Sequence, residues 1–215
     1  MNYTLYTLYY ISVFIPIVTI IFFFLITKNC TKVTRTTVLL LPVLSLLSDL
    51  TSGFLLTKET SMYVTLHIYT LFTGLVCLMY FRNLYKRQKN YFLALIFIFC
   101  GICATEFLYK DGYQSVNVVA NTALSVTVFI VAFFYFFKAI NELKYPRMTD
   151  DIHFYINFAF LFYYGTTFFF ALFEPYIRSI SIEFADYSYY VLFVSNITFN
   201  IIISTGIWLT RRISY

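Results

Sequence analysis

Charge is what this chain is shortest of. Only 12% of its 215 residues are Asp, Glu, Lys or Arg, where a soluble domain carries about 25%. So little polar surface cannot cover a globule, which excludes a soluble or disordered protein. Six Gly and four Pro are too few for fibrous or low-complexity classes. What is abundant is apolar: 60% hydrophobic and 23% aromatic residues, with a mean hydropathy of +0.77. That composition belongs to an integral membrane protein made almost entirely of spans.

A hydrocarbon core of ~30 Å takes roughly 20 apolar residues of helix. Seven stretches meet this length: Leu5–Thr27, Thr36–Thr57, Met62–Phe81, Tyr91–Leu108, Val116–Phe137, Ile152–Phe173 and Tyr187–Leu209. They are continuous apolar runs, not the ~10-residue alternating segments of a barrel. The expected fold is all-α, a polytopic bundle of seven transmembrane helices. The spans use about 150 residues, which leaves a single domain over 1–215 with no room for a soluble catalytic or ligand-binding unit. The longest connections expected are Lys138–Asp151 and Glu174–Asp186.

Sorting the charges by loop gives an orientation. Lys28–Arg35, Arg82–Asn90, Lys138–Asp151 and Thr210–Tyr215 hold twelve Lys or Arg; the opposite loops hold three, Lys58, Lys110 and Arg178. Positive charge gathers on the cytoplasmic side, so the N-terminus is expected outside and the C-terminus inside. The net +5 then divides into +9 inside, −2 outside and −2 within the spans, from Asp49 and Glu106. The basic balance is thus a topology signal and an attraction to anionic inner-leaflet lipid, not a nucleic-acid footprint. No Lys or Arg precedes Lys28, so the first span lacks the basic start of a cleaved signal peptide and is expected to stay. Tyr3, Tyr6, Tyr9, Tyr10 and Trp208 suit interfacial aromatic belts.

Other scarcities exclude chemistries. No span interior holds a Lys, which removes a retinal Schiff base. Two His, at opposite membrane sides, cannot build the multi-His zinc site of seven-helix hydrolases or a bis-His haem. Cys100 and Cys103 form C-x-x-C within an apolar helix with no second ligand pair, so they are expected to be small packing residues; no metal and no cofactor is expected. No Cys falls in an outer loop, so a structural disulfide is not expected. Asn29-Cys-Thr matches a glycosylation pattern on the wrong side of the membrane. Only Pro16 and Pro42 interrupt spans, and no motif repeats between halves, which disfavours a carrier built from duplicated broken helices.

Polar groups inside a membrane are costly and are functional candidates by default. Measured along each helix from its outer end, Glu106 lies ~3 Å down, His67 ~8 Å, Asp49 ~12 Å and Asn196 ~14 Å. Asn121 joins them from the fifth span. Ser45, Ser48, Asp49 and Ser52 share one face of the second span at i, i+3, i+4 and i+7, and must turn away from lipid. Asp49 needs a proton, a cation or a hydrogen-bond donor. The candidate ligand-binding residues are therefore Asp49, His67, Glu106, Asn121 and Asn196, sharing the outer half of the bundle. His153, at the water boundary, is expected to be unremarkable.

In order along the chain, "LSLLSDLTSGFLL", "LHIYTLFTGLVCLMYF", "NTALSVTVFIVAFFYFF", "FYINFAFLFYYGTTFFFALF" and "NITFNIII" resemble a group of uncharacterised bacterial seven-helix membrane proteins. That likeness covers nearly the whole chain and rests on Asp49, His67, Tyr69, Asn157, Tyr164, Gly165, Asn196 and Asn200. Members of the group are often encoded near sensor histidine kinases or other signalling proteins, so the resemblance implies sensing or signalling in a bacterial inner membrane. The acids that the group often carries in its third and fifth spans are here Thr73 and Asn121 or Thr122. Separately, Pro42, Ser48 and Asp49 loosely resemble the Asp-containing span of small membrane lysoplasmalogenases. This implies an alternative, lipid hydrolysis by Asp49 with His67 or Glu106 as acid–base partner. The leading expectation is non-enzymatic: an outer pocket for a small or lipidic ligand, membrane lipids around it, and Arg82–Lys89 and Lys138–Arg147 facing a cytoplasmic or membrane signalling partner. No nucleic-acid partner is expected.

Overall fold

The computed structural model describes residues 3–26, 32–58, 62–109, 117–142 and 148–210. Each apolar run forms an α-helix: α1 Tyr3–Ile26, α2 Lys32–Thr57, α3 Tyr63–Leu84, α4 Lys89–Leu108, α5 Val118–Glu142, α6 Ile152–Ile180 and α7 Ile182–Thr210. Short 3-10 turns at Lys86–Gln88 and Met148–Asp150 lead into α4 and α6. Lys28, Cys30, Glu59, Lys110, Asp111, Lys144, Arg147, Arg211 and Arg212 lie outside the described residues.

The helices outrun the apolar stretches that nucleate them. α2 starts at Lys32 and α5 continues to Glu142, because charged residues end a hydrophobic run without ending a helix. The Glu174–Asp186 connection is a correction: α6 continues to Ile180 and α7 begins at Ile182. Ser181 alone is extended, with φ −156° and ψ 121°.

Among the described residues, six helices, all but α6, contain a segment long and apolar enough to cross a membrane. α6, with 29 residues, carries His153, Asn157, Tyr163, Tyr164, Thr166 and Thr167 along its length. It packs extensively on α7 and on α5. Every helix packs on its sequence neighbours, and α7 returns to α1 to close the ring; α3 also reaches α5.

Polarity is arranged inside out. Phe24, Phe54 and Phe97 are 69%, 63% and 70% exposed, whereas Thr19, Ser125 and Asn157 are completely buried. Water would penalise such a surface; hydrocarbon would not. Inside, Tyr80, Phe81, Phe92, Phe160 and Phe199 form a continuous aromatic core. Gly74 admits the Phe99 ring, which occupies the place a Cβ would take and lets α4 close on α3.

Candidate functional site

The polar stripe of α2 does turn inward. Ser48 is buried and Ser45, Asp49 and Ser52 are half-buried, while Leu47, Leu50 and Phe54 face outward. Asp49 lies within electrostatic range of Tyr9 from α1, Tyr69 from α3 and Tyr163 from α6. The Tyr9 hydroxyl sits over Gly53, one turn beyond Asp49, 3.5 Å from where a Cβ would be. The Tyr69 and Tyr163 hydroxyls meet each other. Behind them Tyr164 Oη and Cys77 Sγ share a hydrogen bond of 3.3 Å. Among the described residues no Lys or Arg pairs with Asp49. The nearby Ser52 hydroxyl, and those of Thr122 and Ser125 on α5, are buried without a hydrogen-bond partner among the described residues.

The other candidates fall into two separate groups. His67 is buried with its ring edge-to-face on Phe107, centroids 5.5 Å apart. One turn away, Asn117 Nδ2 donates to the Leu66 carbonyl at 3.2 Å and to Thr70 Oγ1. Glu106 has a distinct job. The backbone N–H groups of Val119 and Ala120 donate to its Oε1 and Oε2, both at 2.8 Å. These are unsatisfied donors of the first turn of α5, so a carboxylate from α4 caps that helix and meets the positive end of its dipole. Asn121 follows in the same helix, half-buried, with its N–H on the Asn117 carbonyl.

Asn196 belongs to a ladder between α1 and α7. Its Nδ2 donates to Ser12 O and Oγ at 3.1 and 2.9 Å, and its Oδ1 accepts from Asn200 at 3.1 Å. Thr19 Oγ1 donates to Asn200 Oδ1 at 2.9 Å and accepts from Ser204 at 3.1 Å. Interhelical hydrogen bonds of this kind hold helices together in lipid.

A fourth constellation, at the Lys/Arg-rich end, involves residues given no role from the sequence. Tyr80 Oη is 2.9 Å from His153 Nδ1 and accepts from Asn157 Nδ2 at 3.0 Å. Asp151 Oδ1 caps α6 by accepting from the His153 N–H at 2.9 Å, and its Oδ2 accepts from Tyr135 at 3.1 Å. Asn157 Oδ1 is buried without a partner among the described residues.

The contacts of the five candidate residues thus fall into three sets: Asp49 with its tyrosines, His67, Glu106 and Asn121 among α3, α4 and α5, and Asn196 between α1 and α7. α2, which holds Asp49, and α4, which holds Glu106, each pack on α3. Tyr9, Tyr69 and Tyr163 were not among the expected ligand-binding residues: Tyr9 suits an interfacial belt, Tyr69 enters through the resemblance, and Tyr163 reads as one hydrogen-bonding group on the outer half of the sixth span. The i, i+4 relation of Asp49 to Gly53, a small residue beneath the Tyr9 hydroxyl, is a sequence signal for Tyr9.

The fold and its polar interior define an α-helical bundle of the multi-pass membrane class. Compared with protein-family models, with curated proteins and with solved structures, the chain matches none. Among the described residues no group of three or more His, Cys, Asp or Glu could hold a metal ion.

Proposed function

We propose that this chain is a non-enzymatic, seven-span sensor or signal relay of a bacterial inner membrane. Its N-terminus is outside, its C-terminus is cytoplasmic, and its ligand is a small organic cation bound at Asp49. The observation that carries this reading is an intramembrane carboxylate with three tyrosines from three helices around it and no basic partner among the described residues. Of the proton, donor or cation that such an acid needs, a cation fits these surroundings, because tyrosine faces attract organic ammonium groups. The partnerless Ser52 hydroxyl adds hydrogen-bonding capacity nearby. Twelve-to-three basic asymmetry supports the orientation, and α6 supplies the seventh span. The sensing role is supported by the resemblance to seven-helix proteins encoded beside histidine kinases. The basic segments Arg82–Lys89 and Lys138–Arg147 would present the signal to a cytoplasmic or membrane partner. Acid–base hydrolysis with Glu106 as the partner gains no support, because both Glu106 oxygens are engaged at α5.

The test is a melting experiment on the purified full-length protein with choline, putrescine and spermidine. A ligand at a hundred times its Kd stabilises the folded state by about 2.7 kcal/mol. At least one amine should raise the melting temperature of the wild type and leave Asp49→Asn unmoved. No shift with any amine, or an equal shift in Asp49→Asn, overturns the reading.

A further inference from the structure

Among consecutive helix pairs, α4 and α5 pack most thinly. At the Lys/Arg-rich end they leave a groove of about 470 Å³, within the usual range of ligand clefts. Its floor is apolar and preformed. The Tyr85 ring stacks on Phe92, centroids 5.6 Å apart, and its hydroxyl donates to the Val131 carbonyl at 3.3 Å. Its rim is polar, formed by Gln88, Lys138 and Asn141. Lys138 Nζ lies 5.2 Å from the centroid of the Tyr85 ring, which places its positive charge at the groove.

The two halves are ordered by depth. Val131 is seven residues before Lys138 on α5, ~10 Å along the helix, and Phe92 is four residues after Gln88, ~6 Å. A polar, positively charged mouth at the membrane boundary above an apolar aromatic floor complements an amphiphile. Charge selects its headgroup: residues 85–91 and 134–142 carry Lys86, Arg87, Lys89 and Lys138 against one acid, Glu142. We propose that this groove binds an anionic glycerophospholipid, with an acyl chain along Phe92 and Val131 and the phosphate on Lys138. The proposal does not depend on the Asp49 site.

Native mass spectrometry of the full-length protein, titrated with phosphatidylglycerol or phosphatidylcholine of matched chains, tests it. A Lys near the surface contributes about 1 kcal/mol to anionic-lipid attraction, or about fivefold in affinity. The wild type should bind one phosphatidylglycerol at least about fivefold more tightly than phosphatidylcholine. Lys138→Gln should remove most of that preference, whereas Lys32→Gln, on α2 and outside the groove, should keep it. Val131→Trp, which fills the floor, should weaken both lipids. Equal affinity of the wild type for the two lipids overturns the proposal. So does an equal loss in Lys32→Gln, which would mean diffuse attraction, or competition by glycerol phosphate as tight as the lipid's, which would mean a soluble-anion site.

Discussion

Removing the Glu106 carboxylate should destabilise the bundle through α5. In Glu106→Ala the N–H groups of Val119 and Ala120 lose their acceptor. Val119 is 61% exposed and Ala120 only 1%, so the two bonds are unequal. The exposed one counts as an ordinary hydrogen bond, about 1 kcal/mol, and the buried one as a bond to a charged group at the low end, about 1.5 kcal/mol. The sum is about 2.5 kcal/mol, which already contains the helix-dipole attraction. Glu106→Gln keeps one acceptor oxygen and should lose about half as much. Reversible unfolding of the purified protein in mixed micelles, titrated with SDS and followed by circular dichroism, reads the difference. A loss below about 0.5 kcal/mol in Glu106→Ala would refute the capping role and return this carboxylate to the pool of groups available for chemistry.

Gly206→Ala should destabilise the α6–α7 seam by about 1–3 kcal/mol, because the new Cβ would stand 2.6 Å from Tyr155 Cγ. Gly101→Ala, with nothing within 4 Å, should be neutral or stabilising by up to about 1 kcal/mol; the same SDS titration separates the two, and equal effects would contradict the packing. Tyr80→Phe should cost about 1–2 kcal/mol by removing a partner of the His153 ring and one of the two acceptors of the buried Asn157 amide. Adding Asn157→Leu should cost less than the two single losses combined, and additivity in the double-mutant cycle would refute the network.

The helices were legible because lipid imposes one rule, a run of apolar residues long enough to cross, and among the described residues six of the seven helices satisfy it. Their ends were less legible, since Lys32, Glu142 and Arg178 interrupt hydrophobicity and helix formation does not care. Hence the supposed Glu174–Asp186 loop is mostly helix. The site was legible one helix at a time: the Ser48–Asp49 stripe turns inward as its spacing requires. Which stripes meet was not legible, because helices bearing Asp49, Glu106 and Asn196 can be arranged around a ring in many ways. Pairing depends on close approaches, at Gly53 under Tyr9, Gly74 under Phe99 and Gly206 under Tyr155, that no single-helix pattern encodes. The same limit hid His153, whose partners Tyr80 and Asn157 are 73 and 4 residues away, the first across the bundle.

The most direct test of the Asp49 site is its access from outside. Asp49→Cys, in a background with Cys30, Cys77, Cys100 and Cys103 replaced, would be exposed in intact cells to a cationic, membrane-impermeant thiol reagent. Labelling from the outside, at a rate that amines do not change because the carboxylate that holds them is gone, is the expected result. Labelling only after the membrane is permeabilised, or none at all, would contradict an outward-facing cation site at Asp49.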